Sequence, residues 1–228
     1  VAPLAAIHFA PTPIARENLL REGIPAERIY VTGNTQIDGL MLAAKKPPSR
    51  PAVPDSLLKG RRLILVTAHR RESWDSGIRD ICLALGDLAD RFPDIVIVYA
   101  VHPNPIVRGQ ADEILAGRDR VHLIDPPGYP QFVDLMKRSY LILTDSGGVQ
   151  EEAPSLKKPV LVMRKTTERT EGVGAGCSRL VGTERRNIVR QTELVLTDRK
   201  LYQRMKASGN PYGDGKGSSR IRRALWHA

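Results

Sequence analysis

Aromatic residues are scarce in this chain, which has only 5% Phe, Trp and Tyr, and cysteine occurs only as Cys82 and Cys177. Two cysteines without a nearby cysteine or histidine at ligand spacing predict free thiols, with no disulfide framework and no metal site. No apolar run approaches the roughly 18 residues of a membrane-spanning helix, and the first residues lack the pattern of a signal peptide. These absences favour a cytoplasmic protein without a membrane partner.

Acidic residues are also in deficit, with 25 Asp and Glu against 35 Lys and Arg, which gives a net charge of +10. Such a balance raises the possibility of nucleic-acid binding. The basic residues are scattered, however, without a basic tail or an interleaved aromatic platform. Positive charge focused in a cleft concentrates anionic ligands, so we expect an anionic small molecule, a diphosphate in particular, and no nucleic acid.

Short apolar runs rich in valine and isoleucine alternate with longer segments of helical spacing. The runs lie at residues 63–66, 95–101, 121–124, 141–144 and 160–163, and the helical segments at 78–92, 105–115, 131–138 and 148–156. Continuous apolar strands that alternate with helices predict a doubly wound, parallel, Rossmann-like α/β sheet. In such a sheet the ligand lies at the carboxyl ends of the strands.

A proline-rich segment at residues 45–55 separates this pattern from the start of the chain. Before it we predict strands at residues 7–10 and 29–32, one helix opened by Thr12 and Pro13, and a second helix after Thr35. After the apolar runs, further helices are predicted at residues 185–196, 198–207 and 218–226, with a glycine-rich break at 210–217.

The fourth apolar strand leads through Ser146, Gly147 and Gly148 into a helix, an arrangement that suits an anion. Glycines let the backbone approach a phosphate, and the first N–H groups of a helix have no internal partners. Glu152 follows on this helix, where its carboxylate can accept hydrogen bonds from the vicinal hydroxyls of a ribose. The alternative is a plain strand-to-helix turn capped by Asp145 or Ser146.

Other polar side chains follow the ends of neighbouring strands, notably His69, His102 and Arg169. We expect His69 to face a ligand and Arg169 to form a fork with a phosphate, although a packed histidine and a surface arginine are the plain alternatives. The chain has no P-loop lysine motif and no G-x-G-x-x-G fingerprint after its first strand. An NTPase and a classical dehydrogenase are therefore unsupported.

Nine short motifs, taken in order, resemble the non-hydrolysing UDP-N-acetylglucosamine 2-epimerases. They are HFAPT (8–12), GNTQID (33–38), TAHRRE (67–72), VHPNP (101–105), LTDSGGVQEEAP (143–154), KPVLVMR (158–164), TTER (166–169), RLVGT (179–183) and NPYGDG (210–215). The resemblance implies one half of a GT-B-like fold, in which two Rossmann-type domains enclose the active site. It also implies interconversion of UDP-N-acetylglucosamine and UDP-N-acetylmannosamine by elimination and re-addition of UDP, without a cofactor, in cell-envelope polysaccharide biosynthesis.

The resemblance also assigns roles to individual residues. His69 would be a catalytic residue that contacts the substrate. Phe132 would flank the uracil, and Glu152 would bind the ribose. The diphosphate would be held by Ser146, Gly147 and Gly148, and Arg169 would pair with a phosphate. A second UDP-N-acetylglucosamine site, which activates some bacterial members, would be lined by Arg70, Glu72 and His102.

The acidic catalytic residues of the family belong to an amino-terminal domain that should precede His8. We therefore interpret residues 1–25 as the end of that domain, 26–217 as the carboxyl-terminal UDP-binding domain, and 218–228 as a helix that would pack on the missing domain. Without a base for the C2 proton, the chain alone is expected to be inactive. Its expected partners are the missing domain or a split subunit, and the complete enzyme is expected to be a homodimer.

Departures from the family pattern lie around Tyr129, where Pro127-Gly128 and Pro130-Gln131 replace common residues, at Lys165, and in the loop after Arg169. The motifs therefore define the nucleotide-sugar specificity less closely than they define the family.

Two other functions stay open, a nucleotide-sugar-binding module without catalysis and a fragment of a GT-B glycosyltransferase. The TAHRRE and DSGGVQEEAP motifs disfavour the glycosyltransferase.

Overall fold

The computed structural model describes residues 4–71 and 77–226 of the chain. Glu72, the last residue of the TAHRRE motif, lies outside the described residues. No helix in the described ranges is long and apolar enough to cross a membrane. Cys82 and Cys177 are buried free thiols, as predicted.

The first part of the chain folds as a small β-α-β unit formed by strand β1 (His8–Ala10), helix α1 (Pro13–Arg21), a 3-10 helix (Ala26–Arg28) and strand β2 (Ile29–Val31). β1 and β2 pair in parallel as a separate two-stranded sheet. Thr12 caps α1 by accepting a hydrogen bond of 3.0 Å from the amide of Ala15. Ala10, Ile24 and Ile29 form a core of their own. The boundary predicted at residue 25 falls between these paired strands.

A second, larger sheet contains six parallel strands in the order β5-β4-β3-β6-β7-β8. The chain reaches it through helices α2 (Thr35–Ala43) and α3 (Asp55–Leu58) and then forms β3 (Arg62–Thr67), α4 (Gly77–Arg91), β4 (Ile95–Ala100), α5 (Pro105–Leu115), β5 (Val121–Ile124), α6 (Tyr129–Arg138), β6 (Leu141–Thr144), α7 (Gly147–Glu152), β7 (Val160–Val162), α8 (Thr170–Gly174) and β8 (Ser178–Leu180). This is the Rossmann strand order. The doubly wound α/β prediction is confirmed.

Apolar clusters cover both faces of the sheet, because successive side chains of a strand point to opposite sides. Ile64 and Val66 of β3 belong to the cluster that includes α4, α5 and helices α9 (Arg185–Thr197) and α10 (Arg199–Ala207). Leu63 and Leu65 belong to the other cluster, with residues of α2, α6 and α7. The continuous apolar runs in the sequence reflect this burial on both sides.

Three short elements, α3, α8 and β8, are not predicted by the sequence, because three to five residues carry too little periodicity. The helix predicted at residues 148–156 is also shorter than expected. α7 ends at Glu152, and the chain tightens into a 3-10 helix at Ala153–Leu156. Pro154 has no N–H for a helical hydrogen bond, which explains the change.

The last helix, α11 (Gly217–Trp226), packs against α2. The carboxylate of Asp38 accepts hydrogen bonds from the amides of Gly217, at 3.0 Å, and Ser218, at 2.6 Å. Arg220 donates to the carbonyl oxygen of Thr32 at 3.1 Å. Helix α11 is therefore anchored to α2 and to the residue that follows β2.

Candidate functional site

The chain leaves the sheet in opposite directions from β3 and β6, which are neighbours at its centre. Ligands of doubly wound sheets bind in the crevice that opens at such a switch point, beyond the carboxyl ends of the strands. Thr67 and Thr144 end these two strands, and their hydroxyl oxygens lie 2.6 Å apart. This pair marks the floor of the crevice.

A cavity of about 360 Å³ lies at this edge of the sheet. It brings together four residues that the sequence singled out, namely His69, His102, Phe132 and Ser146. The other lining residues are Thr67, Ala100, Pro126, Pro127, Tyr129 and Val149. His102, predicted at a second site, therefore lines the same cavity as His69.

The start of α7 borders this cavity. Ser146 occupies the N-cap position, but its side chain makes no capping hydrogen bond, and its amide donates to Thr144 Oγ1 at 3.0 Å. A Cβ atom on Gly147 would lie 3.3 Å from Glu168 Oε1, and one on Gly148 would lie 3.1 Å from Gln36 Nε2. The two glycines therefore allow polar side chains to pack closely against this turn.

Asp145 makes no cap on α7; it reaches across to the loop after β3. Its Oδ2 accepts hydrogen bonds from the amides of His69, at 2.7 Å, and Arg70, at 2.8 Å. Its Oδ1 lies 3.2 Å from Nδ1 of His69. The interaction with the Asp145 carboxylate raises the pKa of His69, against the opposing effects of burial and of the Arg70 charge.

Glu152 is buried on α7 and held by two donors at one oxygen. Gln36 Nε2 donates to Oε1 at 2.9 Å, and the Tyr129 hydroxyl donates to the same oxygen at 2.8 Å. Desolvation by burial raises the pKa of Glu152, although the two hydrogen bonds oppose this shift. The carboxylate thus has a fixed direction beside the cavity-lining Tyr129.

Arg169 lies close to the start of α7, where a Cβ on Gly147 would be 3.7 Å from its guanidinium carbon. Its Nε donates to Glu151 Oε1 at 2.5 Å, and Asn34 Nδ2 donates to the other oxygen of Glu151 at 2.5 Å. The arginine predicted to bind a phosphate is thus held by an internal carboxylate. This pairing fixes one edge of its guanidinium group.

Arg70 contacts the loop that carries Arg169. Its guanidinium group lies 3.3 Å from Glu168 Oε1, and Arg164 lies 2.6 Å from the other oxygen of Glu168. The pKa of Glu168 is lowered to about 2, first by a hydrogen bond from its own amide and then, against desolvation, by Arg164 and other positive charges. A cluster of charged side chains therefore surrounds this loop.

The NPYGDG motif, to which the sequence analysis assigned no role, forms hydrogen bonds with two segments of the site. Asn210 donates to the carbonyl oxygen of Glu151 at 2.8 Å. The Tyr212 hydroxyl donates to the carbonyl oxygen of Arg169 at 2.9 Å and accepts from the amide of Gly172 at 2.8 Å. This segment thus joins α7 to the Arg169 loop.

Several of these positioning side chains escaped prediction, among them Asn34, Gln36, Asp145 and Tyr212. All four belong to the recognised motifs, and this membership is the one signal in the sequence that could have pointed to them. The contacts of Asn34, Gln36 and Asp145 join residues that are 76 or more positions apart in the chain. Such long-range pairing has no signature in local periodicity. Among residues 4–71 and 77–226, no group of three His, Cys, Asp or Glu side chains could hold a metal ion.

Comparison with known proteins identifies the family. A family model described as UDP-N-acetylglucosamine 2-epimerase matches residues 1–226. A protein of Ralstonia nicotianae, named a probable UDP-N-acetylglucosamine 2-epimerase, is 51% identical over 97% of this chain and 61% of its own length. The UDP-N-acetylglucosamine 2-epimerase of Escherichia coli strain K12 is 50% identical, with the same coverage of 97% and 61%.

A solved structure of the same fold supports this match. The UDP-GlcNAc 2-epimerase of Neisseria meningitidis, bound to UDP-GlcNAc, superimposes with a TM-score of 0.92 at 42% identity and covers 100% of this chain and 63% of that one. The Rossmann-like half of a GT-B-like fold is confirmed. The chain spans about three fifths of the length of the curated relatives it matches. Because the family model covers nearly every residue, the chain belongs to the UDP-N-acetylglucosamine 2-epimerase family.

Proposed function

We propose that this chain is the UDP-binding part of an enzyme that interconverts UDP-N-acetylglucosamine and UDP-N-acetylmannosamine. The observation that carries the proposal is the cavity at the switch point between β3 and β6. His69, Phe132 and Ser146 line it, and Glu152 reaches its wall through Tyr129. The name of the Escherichia coli relative and the ligand of the Neisseria structure support the same substrate.

The diphosphate would bind where Ser146, Gly147 and Gly148 begin α7. Arg169 and Arg70 lie on loops that border the turn, where Glu151 and Glu168 pair with them. A guanidinium group held by a carboxylate is well suited to receive a phosphate, since little freedom is lost on binding.

The nucleoside would occupy the other end of the cavity. Phe132 lines it with an apolar ring that can flank uracil, and Glu152 offers a fixed carboxylate to the ribose hydroxyls. Pro127 also lines the cavity. A proline side chain has no hydrogen-bonding group, so uracil recognition would rest on other contacts.

A second, activating UDP-N-acetylglucosamine site remains a proposal for Arg70, Glu72 and His102. His102 lies against His69, with ring centroids 5.6 Å apart and planes inclined by 15°. Arg70 pairs with Glu168. A second sugar nucleotide at His102 would therefore contact the same cavity wall as the first, which is a direct route for coupling between two ligands.

The catalytic carboxylates would come from an amino-terminal domain or a split subunit, in a homodimer. Exposed apolar side chains support such a partner: Tyr30 and Val31 are 37% and 43% exposed on β2, and Leu225 and Trp226 are 56% and 85% exposed at the end of α11. We propose that the β-α-β unit at residues 8–31 and α11 both pack on that domain. The pairing of β1 with β2 supports a boundary after β2 instead of at residue 25.

Isothermal titration calorimetry with UDP tests this function. The isolated chain should bind UDP, and Glu152→Ala should weaken binding roughly tenfold or more, since a hydrogen bond to a charged group is worth about 1.5–3 kcal/mol. Glu113→Ala is the matched control, because Glu113 is an exposed carboxylate on α5 paired with Arg79. Absence of UDP binding, or equal binding by the Glu152 and Glu113 variants, would overturn the assignment.

A further inference from the structure

Asp145 is completely buried and therefore has to be compensated by nearby donors. An isolated carboxylate in an apolar interior is strongly unfavourable, so such a group is stable only with close polar or charged partners. Two of its partners are the amides of His69 and Arg70, both at Oδ2. The close polar neighbour of Oδ1 is Nδ1 of His69, at 3.2 Å.

One carboxylate therefore contacts both the main chain and the ring of His69. The amide contact fixes where the loop after β3 lies, and the Nδ1 contact fixes how the ring is turned. An unprotonated Nδ1 would place a lone pair against a carboxylate oxygen, which is repulsive, so this nitrogen must carry the proton. His102, stacked on the same ring, restricts it from the side of β4.

We propose that Asp145 is a positioning residue for His69, whose carboxylate holds the imidazole with Nδ1 protonated and so presents the ring in one orientation to the ligand cavity. The identity of the ligand rests on the proposed function. The relation between the two side chains does not, because it is a property of the chain without any ligand.

The charges around the ring support this arrangement. Asp145, at the end of β6, favours the protonated imidazole of His69. Arg70, which follows His69 in the chain, disfavours this protonated form. Arg70 is itself paired with Glu168 from the loop after β7, which offsets part of its charge. His102 faces the ring from the loop after β4. The net result is a raised pKa for His69, and thus a larger positive fraction of the ring beside the expected diphosphate at neutral pH.

Nitrogen-15 NMR of the histidine rings tests the proposal on the isolated chain, because the shifts of Nδ1 and Nε2 show which nitrogen carries the proton. His69→Gln assigns the signals of His69 by their loss. Above its pKa, neutral His69 should carry the proton on Nδ1, whereas free histidine prefers Nε2. His122, which lies on β5 away from Asp145, is the internal control.

Asp145→Asn gives the matching perturbation. The amide oxygen can keep both backbone hydrogen bonds, while its NH₂ group turns toward the ring and donates to Nδ1. The proton should then move to Nε2, as happens when the aspartate of a catalytic triad is replaced by asparagine. The pKa of His69 should fall, since a neighbouring negative charge is lost.

An unchanged tautomer and pKa in Asp145→Asn would reduce Asp145 to a residue that only anchors the loop. If this variant does not fold, the His69 tautomer in the wild-type chain still tests the proposal. A neutral His69 protonated on Nε2 would by itself overturn it. Failure of the proposed function has a different signature, the absence of UDP binding by calorimetry with the His69 tautomer as expected.

Discussion

The Tyr129 hydroxyl donates a hydrogen bond of 2.8 Å to Oε1 of Glu152, from the first residue of α6 to the last residue of α7. Gln36 donates to the same oxygen from α2. Three helices therefore meet at one carboxylate oxygen beside the cavity. Because Glu152 is buried and desolvated, these donors determine the direction in which its carboxylate faces the cavity.

Tyr129→Phe should weaken UDP binding less than Glu152→Ala does. The change removes one donor to the carboxylate but keeps the ring on the cavity wall, so the loss should be about 0.5–1.5 kcal/mol, or roughly two- to tenfold in affinity. Calorimetry with UDP measures it, and Tyr30→Phe, on the exposed strand β2, is the matched control. A larger loss for Tyr129→Phe than for Glu152→Ala would make Tyr129 the principal ligand.

Arg169→Ala should weaken UDP binding by about tenfold or more, and Arg169→Lys should recover only part of the loss. A lysine keeps the charge but lacks the planar fork that pairs with Glu151 and a phosphate together. Arg79→Ala is the control, since Arg79 is an exposed arginine paired with Glu113. Full affinity in Arg169→Ala would remove this residue from the phosphate site.

The sequence predicted five of the six strands of the large sheet, because burial of a strand on both faces produces a continuous apolar run such as that of β4. It also predicted which strand ends meet, since parallel strands bring their carboxyl ends to one edge. It did not predict that Asp145 contacts His69, 76 residues away along the chain, or that Glu151 holds Arg169. These pairings depend on strand order, and a single sequence does not display strand order.

Asp38→Ala should lower the free energy of unfolding by about 1 kcal/mol at neutral pH, because it removes the acceptor for the first amides of α11. Desolvation raises the pKa of Asp38, but the hydrogen bonds from Ser218 and Gly217 outweigh it, so the pKa is lowered in the fold. A group with a lowered pKa stabilises above its unfolded pKa, about 3.9, and loses this contribution as the pH falls through its folded pKa.

Chemical denaturation across pH checks this prediction. The difference between Asp38→Ala and the wild type should be full at pH 6 to 7 and should shrink toward zero well below about pH 3.9. Asp55→Ala is the control, because Asp55 is an exposed carboxylate at the start of α3. A difference that persists unchanged in strong acid would show that Asp38 acts through packing instead of its charge.

UDP and UDP-N-acetylglucosamine should bind the isolated chain with similar affinity. The predicted contacts, namely Ser146 and Arg169 to the diphosphate and Glu152 and Phe132 to the nucleoside, do not involve the sugar. The contacts of the sugar would come largely from the opposite domain of the cleft. Competition calorimetry measures the ratio, and a sugar nucleotide that binds far more tightly than UDP would place a sugar site on this half.

The isolated chain should show no measurable epimerisation. None of the ten described residues that line the cavity is a carboxylate. Three acidic side chains at the adjoining turn and helix α7 have partners, since Asp145 contacts His69, Glu151 contacts Arg169, and Glu152 accepts from Tyr129. A positioned general base typically contributes about 10²–10⁴-fold to a rate, so its loss should prevent removal of the C2 proton.

Addition of a matching amino-terminal domain, as a fusion or a separate chain, should restore turnover, because that domain would bring the base and close the cleft over the glycal intermediate. The most sensitive assay is incorporation of deuterium from heavy water at C2 of UDP-N-acetylglucosamine, which detects proton exchange even when no epimer is released. UDP binding without exchange is the expected result for the isolated chain. Clear exchange that is abolished by His69→Ala would instead identify His69 as a base sufficient for the first step, and the carboxylates of a second domain would then be unnecessary for it.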